Sequence, residues 1–307
     1  ISEYIKLENR ENQKLVLVNK GPRDKGFELC VDCGAIEPNI TDKKERESRK
    51  RPYRLLYKKD DMMKCRHSYS NVYLGNELNT DMMVMEIKLD REILDMSVDY
   101  KLWLIPALTS FAEGLALAAS RELDIEFSDI KSGYRIRHVS DEIYADVYLY
   151  DSLSSGAGYA VRVSEFIESI LDKMSDIFKD CTCDSSCPNC LEHFWNQRNK
   201  EKLDRKLAFD FLNFVRYGKL RERVNEEDRD YYVNQLNKIA SMHGKGETII
   251  IKKSNKYFYK AKKCLLEIII YPSMCNIKNI GLDKTIYLSD RECRFAISDV
   301  WKKLRNI

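Results

Sequence analysis

Ten residues near the middle of the chain carry four cysteines, Cys181, Cys183, Cys187 and Cys190. This spacing lets four thiolates surround one tetrahedral ion, because zinc binds cysteine sulfur at ~2.3 Å and prefers four ligands. The second half of the cluster, Cys-Pro-Asn-Cys, supplies a tight turn, since proline fixes its own φ and restricts the residue before it. Four thiolates leave no position for an activated water, so the cluster predicts a structural zinc site.

Two alternatives remain open for this cluster, a disulfide pair and an iron–sulfur cluster. The first residues of the chain lack the basic and then apolar pattern of a signal peptide, so we expect a cytoplasmic location. Clustered thiols in a reducing compartment bind metal more often than they form disulfides. The close spacing also suits a single ion better than a polynuclear cluster.

A second candidate metal site combines Cys30 and Cys33 with Cys65 and His67. Two cysteines in a CxxC arrangement and a later Cys/His pair make a four-ligand set whose softness suits zinc. The long intervening loop is compatible with such a site, because the entropy cost of loop closure grows slowly with length. The alternative is that Cys65 is a packed thiol and His67 a surface imidazole. The sequence therefore predicts two zinc ions.

A glycine turn at Gly156 and Gly158 follows a predicted buried strand and precedes a predicted helix. Backbone N–H groups at the start of a helix can hold an anion. The Walker pattern is absent, because no lysine follows these glycines. Three interpretations remain: a packing turn, a contact with a nucleic-acid phosphate, and nucleotide binding.

A polar segment after the cysteine cluster mixes aromatic, amide and basic side chains that can stack on bases and touch phosphates. Its candidate nucleic-acid-binding residues are Trp195, Asn196, Gln197, Arg198 and Arg205. The alternative is an ordinary solvated face. His193 lies close to the cluster, but zinc needs no fifth ligand, so we expect it to serve in packing or capping.

Sequence motifs for catalysis are missing: the chain has no Walker lysine, no GxSxG elbow and no HExxH. With four histidines in total, it offers few candidates for acid–base chemistry. The net charge of +3 gives no bulk polycation argument for nucleic acid, so any contact would need a local basic patch. We also expect no membrane span, since no apolar run approaches the ~20 residues required.

The elements that must position these residues predict a mixed α/β fold. An apolar helical stripe runs from 100 to 123, strands follow at 134–139 and 143–150, and a helix is expected near 160–178. Strands at 14–18, 26–31 and 72–89 precede them; a helix near 229–242, strands at 248–252 and 265–271 and a helix near 296–305 follow. We expect an N-terminal strand-rich zinc-knuckle region (1–90), a zinc-stabilised α/β core (91–220) and a small C-terminal α/β subdomain (221–307).

Together these motifs resemble a known family. The run from Tyr150 to Tyr159, the cysteine cluster through Leu191, the Asn-Gln pair at 196–197 and Leu-Asp-Arg at 203–205 are similar to the MZB zinc-binding domain. That domain occurs at the C-terminus of MrfA-type superfamily 2 DNA helicases and in DrmB of the DISARM antiphage system. The resemblance covers about residues 15–215. This chain departs from the family at Ser155, where members often have a second glycine.

The resemblance implies a cysteine-bound zinc and work alongside a DNA translocase in DNA repair or antiphage defence. It carries over no motor domain. We expect a non-catalytic accessory module that contacts DNA and a helicase, in cis or in trans. The alternative is a protein-binding scaffold subunit of a defence complex without DNA contact; an undetected nuclease or nucleotide-dependent enzyme is the third class.

Overall fold

The structure is a computed structural model that describes residues 1–31, 34, 36–39, 69–97, 99–221, 224–243, 250–260, 265–277 and 284–306. Over these residues the chain forms eleven strands and seven α-helices, which confirms the mixed α/β class. It divides into two compact units. Unit 1 comprises Ile1–Glu11, Asp81–Ser152 and Ala157–Ile307; unit 2 comprises Asn12–Thr80 and Leu153–Gly156.

The strands are β1 (Ile5–Asn19), β2 (Phe27–Cys30), β3 (Ile36–Pro38), β4 (Tyr69–Val72), β5 (Leu74–Lys88), β6 (Ile130–Val139), β7 (Glu142–Asp151), β8 (Ile250–Lys253), β9 (Lys256–Lys260), β10 (Leu265–Tyr271) and β11 (Thr285–Ser289). The helices are α1 (Lys101–Leu123), α2 (Tyr159–Val163), α3 (Ile167–Asp180), α4 (Arg205–Tyr217), α5 (Glu226–His243), α6 (Asp290–Phe295) and α7 (Ile297–Arg305). Two 3-10 helices cover Pro22–Asp24 and Phe194–Lys202.

The main sheet has the strand order β1-β5-β7-β6. Strand β7 pairs antiparallel with β5 and with β6, so it lies in the interior of the sheet. Its residues alternate between the two faces, and the set Ile143, Ala145, Val147 and Leu149 is buried in the core. Helix α1 packs against β6 and β7 on one side and against α3 and α4 on the other.

Helix α1 is apolar because it is the central helix of this core. The premise that no apolar run approaches the length of a membrane span was wrong, since Lys101–Leu123 has a window of mean hydropathy 1.5 and is long and apolar enough by length and composition alone. However, 78% of that window is buried inside the domain. Gly114 lets a side chain of α3 pack closely against α1, because a Cβ at this position would lie 2.6 Å from Cζ of Phe178.

A second core in unit 1 is built from α5, α7 and a sheet of order β11-β10-β9-β8. Strands β8, β9 and β10 are antiparallel, and β11 runs parallel to β10. The sequence pattern predicted β8 and β10 but missed β9 and β11, which have five residues each. The division into residues 1–90, 91–220 and 221–307 stays a prediction.

Unit 2 contains a three-stranded antiparallel sheet of order β3-β2-β4. Three consecutive apolar residues of β1 in this unit, Val16, Leu17 and Val18, are exposed by 42–50%. Strand β2 ends at Cys30, whose Cα pairs with that of Tyr69. Unit 2 therefore contains the start of the predicted zinc knuckle.

Candidate metal centre

The end of helix α3 delivers the first cysteine of the cluster. The helix stops at Asp180, and Cys181 takes up an extended conformation with φ −88° and ψ 129°. Four residues after Cys183 the chain turns back on itself, because the carbonyl oxygen of Cys187 accepts the N–H groups of Cys190, Leu191 and Glu192 at 3.0–3.1 Å. This turn is local, so the sequence sufficed to predict it.

The four sulfur atoms converge on one point. Their Sγ atoms all lie within 4.8 Å of one another. Four of the separations are 3.3 Å (Cys181–Cys183), 3.4 Å (Cys181–Cys187), 3.6 Å (Cys183–Cys190) and 3.8 Å (Cys187–Cys190). A tetrahedron with Zn–S bonds of ~2.3 Å has edges of ~3.8 Å, while a disulfide bond would need ~2.05 Å. The thiols are free and arranged to fit one zinc ion.

Hydrogen bonds and burial set the ionisation of these thiols. The backbone N–H of Cys187 donates to Sγ of Cys190 at 3.3 Å. Burial raises the pKa of Cys190 and of Cys183. For Cys181, burial acts in the same direction, but hydrogen bonds from Cys183 and the neighbouring thiols outweigh it and lower the pKa to about 7. Zinc binding must therefore release protons from the buried thiols, which makes metal affinity pH-dependent.

A layer of polar contacts fixes the loop that carries the cysteines. Arg205 donates through its two Nη atoms to the carbonyl oxygens of Phe178 and Cys183, at 2.5 and 2.7 Å. Ser185 donates its hydroxyl to the carbonyl oxygen of Leu203 at 2.8 Å. Such contacts hold the ligands in place before a metal binds, because they satisfy carbonyls that the end of α3 leaves free.

The C-terminal part of the chain also reaches this loop. Arg294 of α6 donates through Nη2 to the carbonyl oxygen of Asp184 at 2.9 Å, and through Nη1 to both carboxylate oxygens of Asp204 at 3.2 and 2.9 Å. Both side chains of this ion pair are at most 5% exposed. Asp204 in turn caps the N-terminus of α4 through the N–H of Leu207. Arg294 was not predicted, because no local pattern connects it to a loop 110 residues away.

A second buried carboxylate lies on the same helix. Asp210 forms a salt bridge with Arg221, with Nε–Oδ1 and Nη2–Oδ2 distances of 2.8 Å each. Burial raises the pKa of its carboxyl to about 7, although Arg221 acts in the opposite direction. Burial also raises the pKa of Asp290, which faces the same arginine at 3.5 Å. These ion pairs join α4 to the second core of unit 1.

His193 is a capping residue, as its position outside the cluster predicted. Its Nδ1 accepts the N–H of Trp195 at 3.2 Å, and its backbone N–H donates to Oδ1 of Asn196 at 3.0 Å, which completes a capping box. Because Nδ1 is an acceptor, the ring proton is on Nε2, where it donates to Oε2 of Glu113 at 2.6 Å. The imidazole therefore connects the start of the 3-10 helix to α1.

The structure separates the residues that were predicted to bind nucleic acid. Trp195 is 65% exposed and Gln197 is also exposed, whereas Asn196 is only 3% exposed. The amide of Asn196 donates to the carbonyl oxygen of Leu191 at 2.8 Å. The buried amide of Asn196 holds the 3-10 helix against the loop that carries the cysteines, and nucleic-acid binding by this residue stays a prediction. The guanidinium of Arg205 is likewise used on internal carbonyls, and the side chain of Arg198 lies outside the described residues.

The glycine turn is closed by a carboxylate from the preceding strand. Asp151, at the end of β7, accepts the N–H of Ala157 at 2.5 Å and the N–H of Ala160 at 2.7 Å. Gly156 and Gly158 both have positive φ, 75° and 77°, which glycine adopts without the steric cost that a side chain adds. The packing interpretation of the turn is therefore favoured over phosphate binding, since two of its amides are already occupied.

The second predicted zinc site falls largely outside the described residues. Cys33, Cys65 and His67 lie outside them, and for Cys30 only the backbone position in β2 is given. Two further thiols lie outside both predicted sites: Cys293 is 3% exposed and Cys275 is half-buried.

Comparison with known proteins matches this region to one family. The model of the MZB family, the MrfA Zn-binding domain, matches residues 111–191. The chain is 34% identical over 250 residues to the Druantia protein DruE of Escherichia coli (strain UMEA 4076-1). That match covers 78% of this chain and 14% of DruE.

Two solved structures are similar to part of the chain at lower identity. The DUF1998 helicase MrfA bound to DNA is 18% identical with a TM-score of 0.38, and its complex with DNA and AMPPNP is 16% identical with a TM-score of 0.32. Each match covers 48% of this chain, and 19% and 17% of the helicase chains. The segment that holds the four converging thiols lies within the residues that the model of the MrfA Zn-binding domain matches.

Proposed function

We propose that the chain is a non-catalytic, zinc-stabilised accessory module that works with a superfamily 2 helicase or translocase and contacts DNA. The observation that carries the proposal is the closed set of four thiolates, which occupies every position around one zinc ion and leaves none for a reacting water. The MZB match and the similarity to DruE support the helicase-associated role and a setting in antiphage defence. Membership of a DISARM-like system and a cytoplasmic location stay predictions.

Zinc acts as a folding element in this proposal. The four cysteines lie in the segment between α3 and α4, and both of these helices pack on α1. The metal therefore fixes the connection between two helices of the main core. A rigid junction of this kind can present the surrounding surface in a single arrangement to a partner. DNA contact would be made by that surface and not by the metal.

Elemental analysis of chain purified without added zinc tests the metal part of the proposal. We expect zinc and no iron, because the four thiols surround a space for a single ion. Two zinc ions per chain would support both predicted sites. In favour of the second, β2 pairs Cys30 with Tyr69, two positions after His67 in the sequence. Iron, or the absence of metal, would overturn the proposal.

DNA binding is tested by titration against salt. Phosphate contacts release counterions, so the logarithm of the affinity should fall linearly with the logarithm of the salt concentration. We expect such a slope for this chain. Binding that is absent, or independent of salt, would remove DNA contact from the proposed function and leave the zinc module.

A protein-binding scaffold is the second candidate. It is favoured by the exposed side chains of Val16, Leu17 and Val18, which leave apolar surface on both faces of β1, since large exposed apolar patches mark protein interaction sites. The two candidates differ in a simple outcome. Loss of helicase association on Leu17→Asp, in a chain that shows no salt-dependent DNA binding, would favour the scaffold.

A further inference from the structure

A polar cleft opens beside the 3-10 helix that follows the zinc loop. It has a volume of 300 Å³ and is bounded by α1, β6 and that helix. Its lining is dominated by groups that form hydrogen bonds: Thr109, Glu113, Ser132, Tyr134, Tyr148 and Asn199, with Lys202 at one side. The volume is at the small end of the range for ligand sites, ~300–1,000 Å³. The cleft therefore suits one base or nucleotide better than a large ligand.

The cleft has a special backbone requirement. The ring of Tyr148 lies across Gly133 of the neighbouring strand, where a Cβ would meet ring and hydroxyl atoms at 2.6–2.7 Å. Glycine at this position thus lets the tyrosine reach the edge of the sheet. Burial raises the pKa of Tyr148, so its phenol stays protonated and can donate a hydrogen bond.

An exposed aromatic pair lies on the 3-10 helix that borders the cleft, next to a lysine of β6, which borders the cleft as well. Phe194 and Trp195, at the start of the 3-10 helix, are 72% and 65% exposed and meet edge to face with ring centroids 5.1 Å apart. Nζ of Lys131, the residue before Ser132 in β6, lies 5.0 Å from the centroid of the Trp195 ring. Exposed tryptophan beside lysine is the composition of surfaces on which unpaired bases stack.

The charged side chains beside the Trp195 ring and the cleft differ in whether they are paired. Within the described part of the chain, neither Lys131 nor Lys202 has a carboxylate at salt-bridge distance, whereas Lys200 is paired with Glu192 at 2.8 Å. Glu113 at the cleft is held by His193 and is an acceptor. A carboxylate repels phosphate but can accept from the amino group of a base. The cleft therefore fits a base, and the two lysines fit the backbone.

We propose that this cleft and the exposed Trp195 ring on the same 3-10 helix bind unstacked bases of single-stranded DNA, one base in the cleft and another on Trp195 as the stacking platform, with Lys131 and Lys202 as phosphate contacts. The inference rests on the proposed function, because it names the DNA form and the site through which the module would make contact. A duplex would not satisfy it, since paired bases do not present their faces to an aromatic side chain. It keeps Trp195 from the residues predicted from the sequence and adds Lys131 and Lys202, which no local pattern had singled out.

Intrinsic fluorescence gives a direct test. The chain has three tryptophans, and Trp103 and Trp301 are only 4% and 7% exposed. A 12-nucleotide single strand containing all four bases should therefore quench mainly the emission of Trp195. The same emission unchanged at a saturating concentration of bound strand would overturn the proposal.

Affinity measurements on variants complete the test. Base stacking is worth ~1–3 kcal/mol, so Trp195→Ala should weaken binding of the single strand by ~5- to 150-fold, and Trp195→Phe should restore part of it. The matched control is Tyr217→Ala, which removes a 60% exposed ring under Arg216, with no expected loss. Lys131→Ala and Lys202→Ala should each lower the salt slope by ~0.7, which Trp195→Ala should not do.

The outcomes separate this inference from the proposed function. Salt-dependent DNA binding that is equal for duplex and single strand, and unaffected by Trp195→Ala, would overturn the inference and leave the proposed function standing. No DNA binding by the wild-type chain would overturn both. Zinc content and melting temperature should match those of the wild type in every variant, because the four substituted side chains are exposed or partly exposed.

Discussion

Replacing a cysteine of the cluster tests how much of the stability depends on zinc. Cys187→Ser is the most informative substitution, because Cys187 is half-buried while Cys190 is fully buried and its replacement would also disturb the core. Serine keeps the size and removes only the thiolate. The effect on stability should therefore report on the metal.

The magnitude follows from four equivalent ligands. Structural zinc contributes ~10–16 kcal/mol in small zinc modules, so one thiolate of four accounts for roughly 2.5–4 kcal/mol. The total stability of a domain is ~5–15 kcal/mol, and each kcal/mol shifts the melting temperature of a unit of this size by ~2–4 °C. We expect a decrease of ~5–15 °C, weaker zinc binding, and new protease cleavage between α3 and α4.

The control is Cys275→Ser, the same substitution at a half-buried thiol outside the cluster. Its Sγ lies 3.5 Å from the carbonyl oxygen of Arg221, a contact that serine can keep. Thermal melting and elemental analysis of both variants make the comparison. Equal melting temperatures and equal zinc contents would refute the assignment of the four thiols to zinc.

Three further predictions concern the residues around the zinc loop. Arg294→Ala should lower the free energy of unfolding measured in urea by ~3–5 kcal/mol, because it leaves Asp204 buried without its main partner. The control is Lys302→Ala, which breaks the exposed pair with Asp299 and should cost only ~0–1 kcal/mol. Since the pKa of folded Asp210 is raised from 3.8 to about 7, this group stabilises the fold fully below pH ~4 and its contribution is lost as the pH rises to about 7. Asp210→Asn should flatten that dependence in thermal melts at pH 4.5, 6 and 7.5, and an unchanged profile would contradict it. Gly114→Ala should destabilise by ~1–3 kcal/mol, since its Cβ would lie 2.6 Å from Phe178 and outweigh the better helix propensity of alanine; a melting temperature above that of the wild type would show that α1 and α3 can separate.

The elements with a regular pattern were predictable. Helix α1 was expected from 100 to 123 and spans Lys101–Leu123, because its apolar residues repeat with helical spacing along the whole length. Strands β6 and β7 were expected at 134–139 and 143–150, and each extends beyond the predicted range. Strands β9 and β11 were missed, since their stability comes from pairing with β10 and not from a pattern of their own.

Candidate contact residues were harder to assign than elements. Trp195 and Asn196 are adjacent in the sequence and equally suited to nucleic acid by type, yet one is 65% exposed and the other 3%. The difference arises because the 3-10 helix turns Asn196 inward, where its amide closes a capping box with His193. Residue type gives the chemistry that is available, and only the direction of the side chain decides whether it is used.

The sequence by itself determined the metal centre, because all four ligands lie within ten residues and one turn brings them together. The tertiary structure alone decided what surrounds it. Arg294 and Asp184 are 110 residues apart, and Glu113 and His193 are 80 apart, yet each pair is joined by a hydrogen bond. Such contacts depend on how helices pack on a sheet, and no spacing along the chain records that packing.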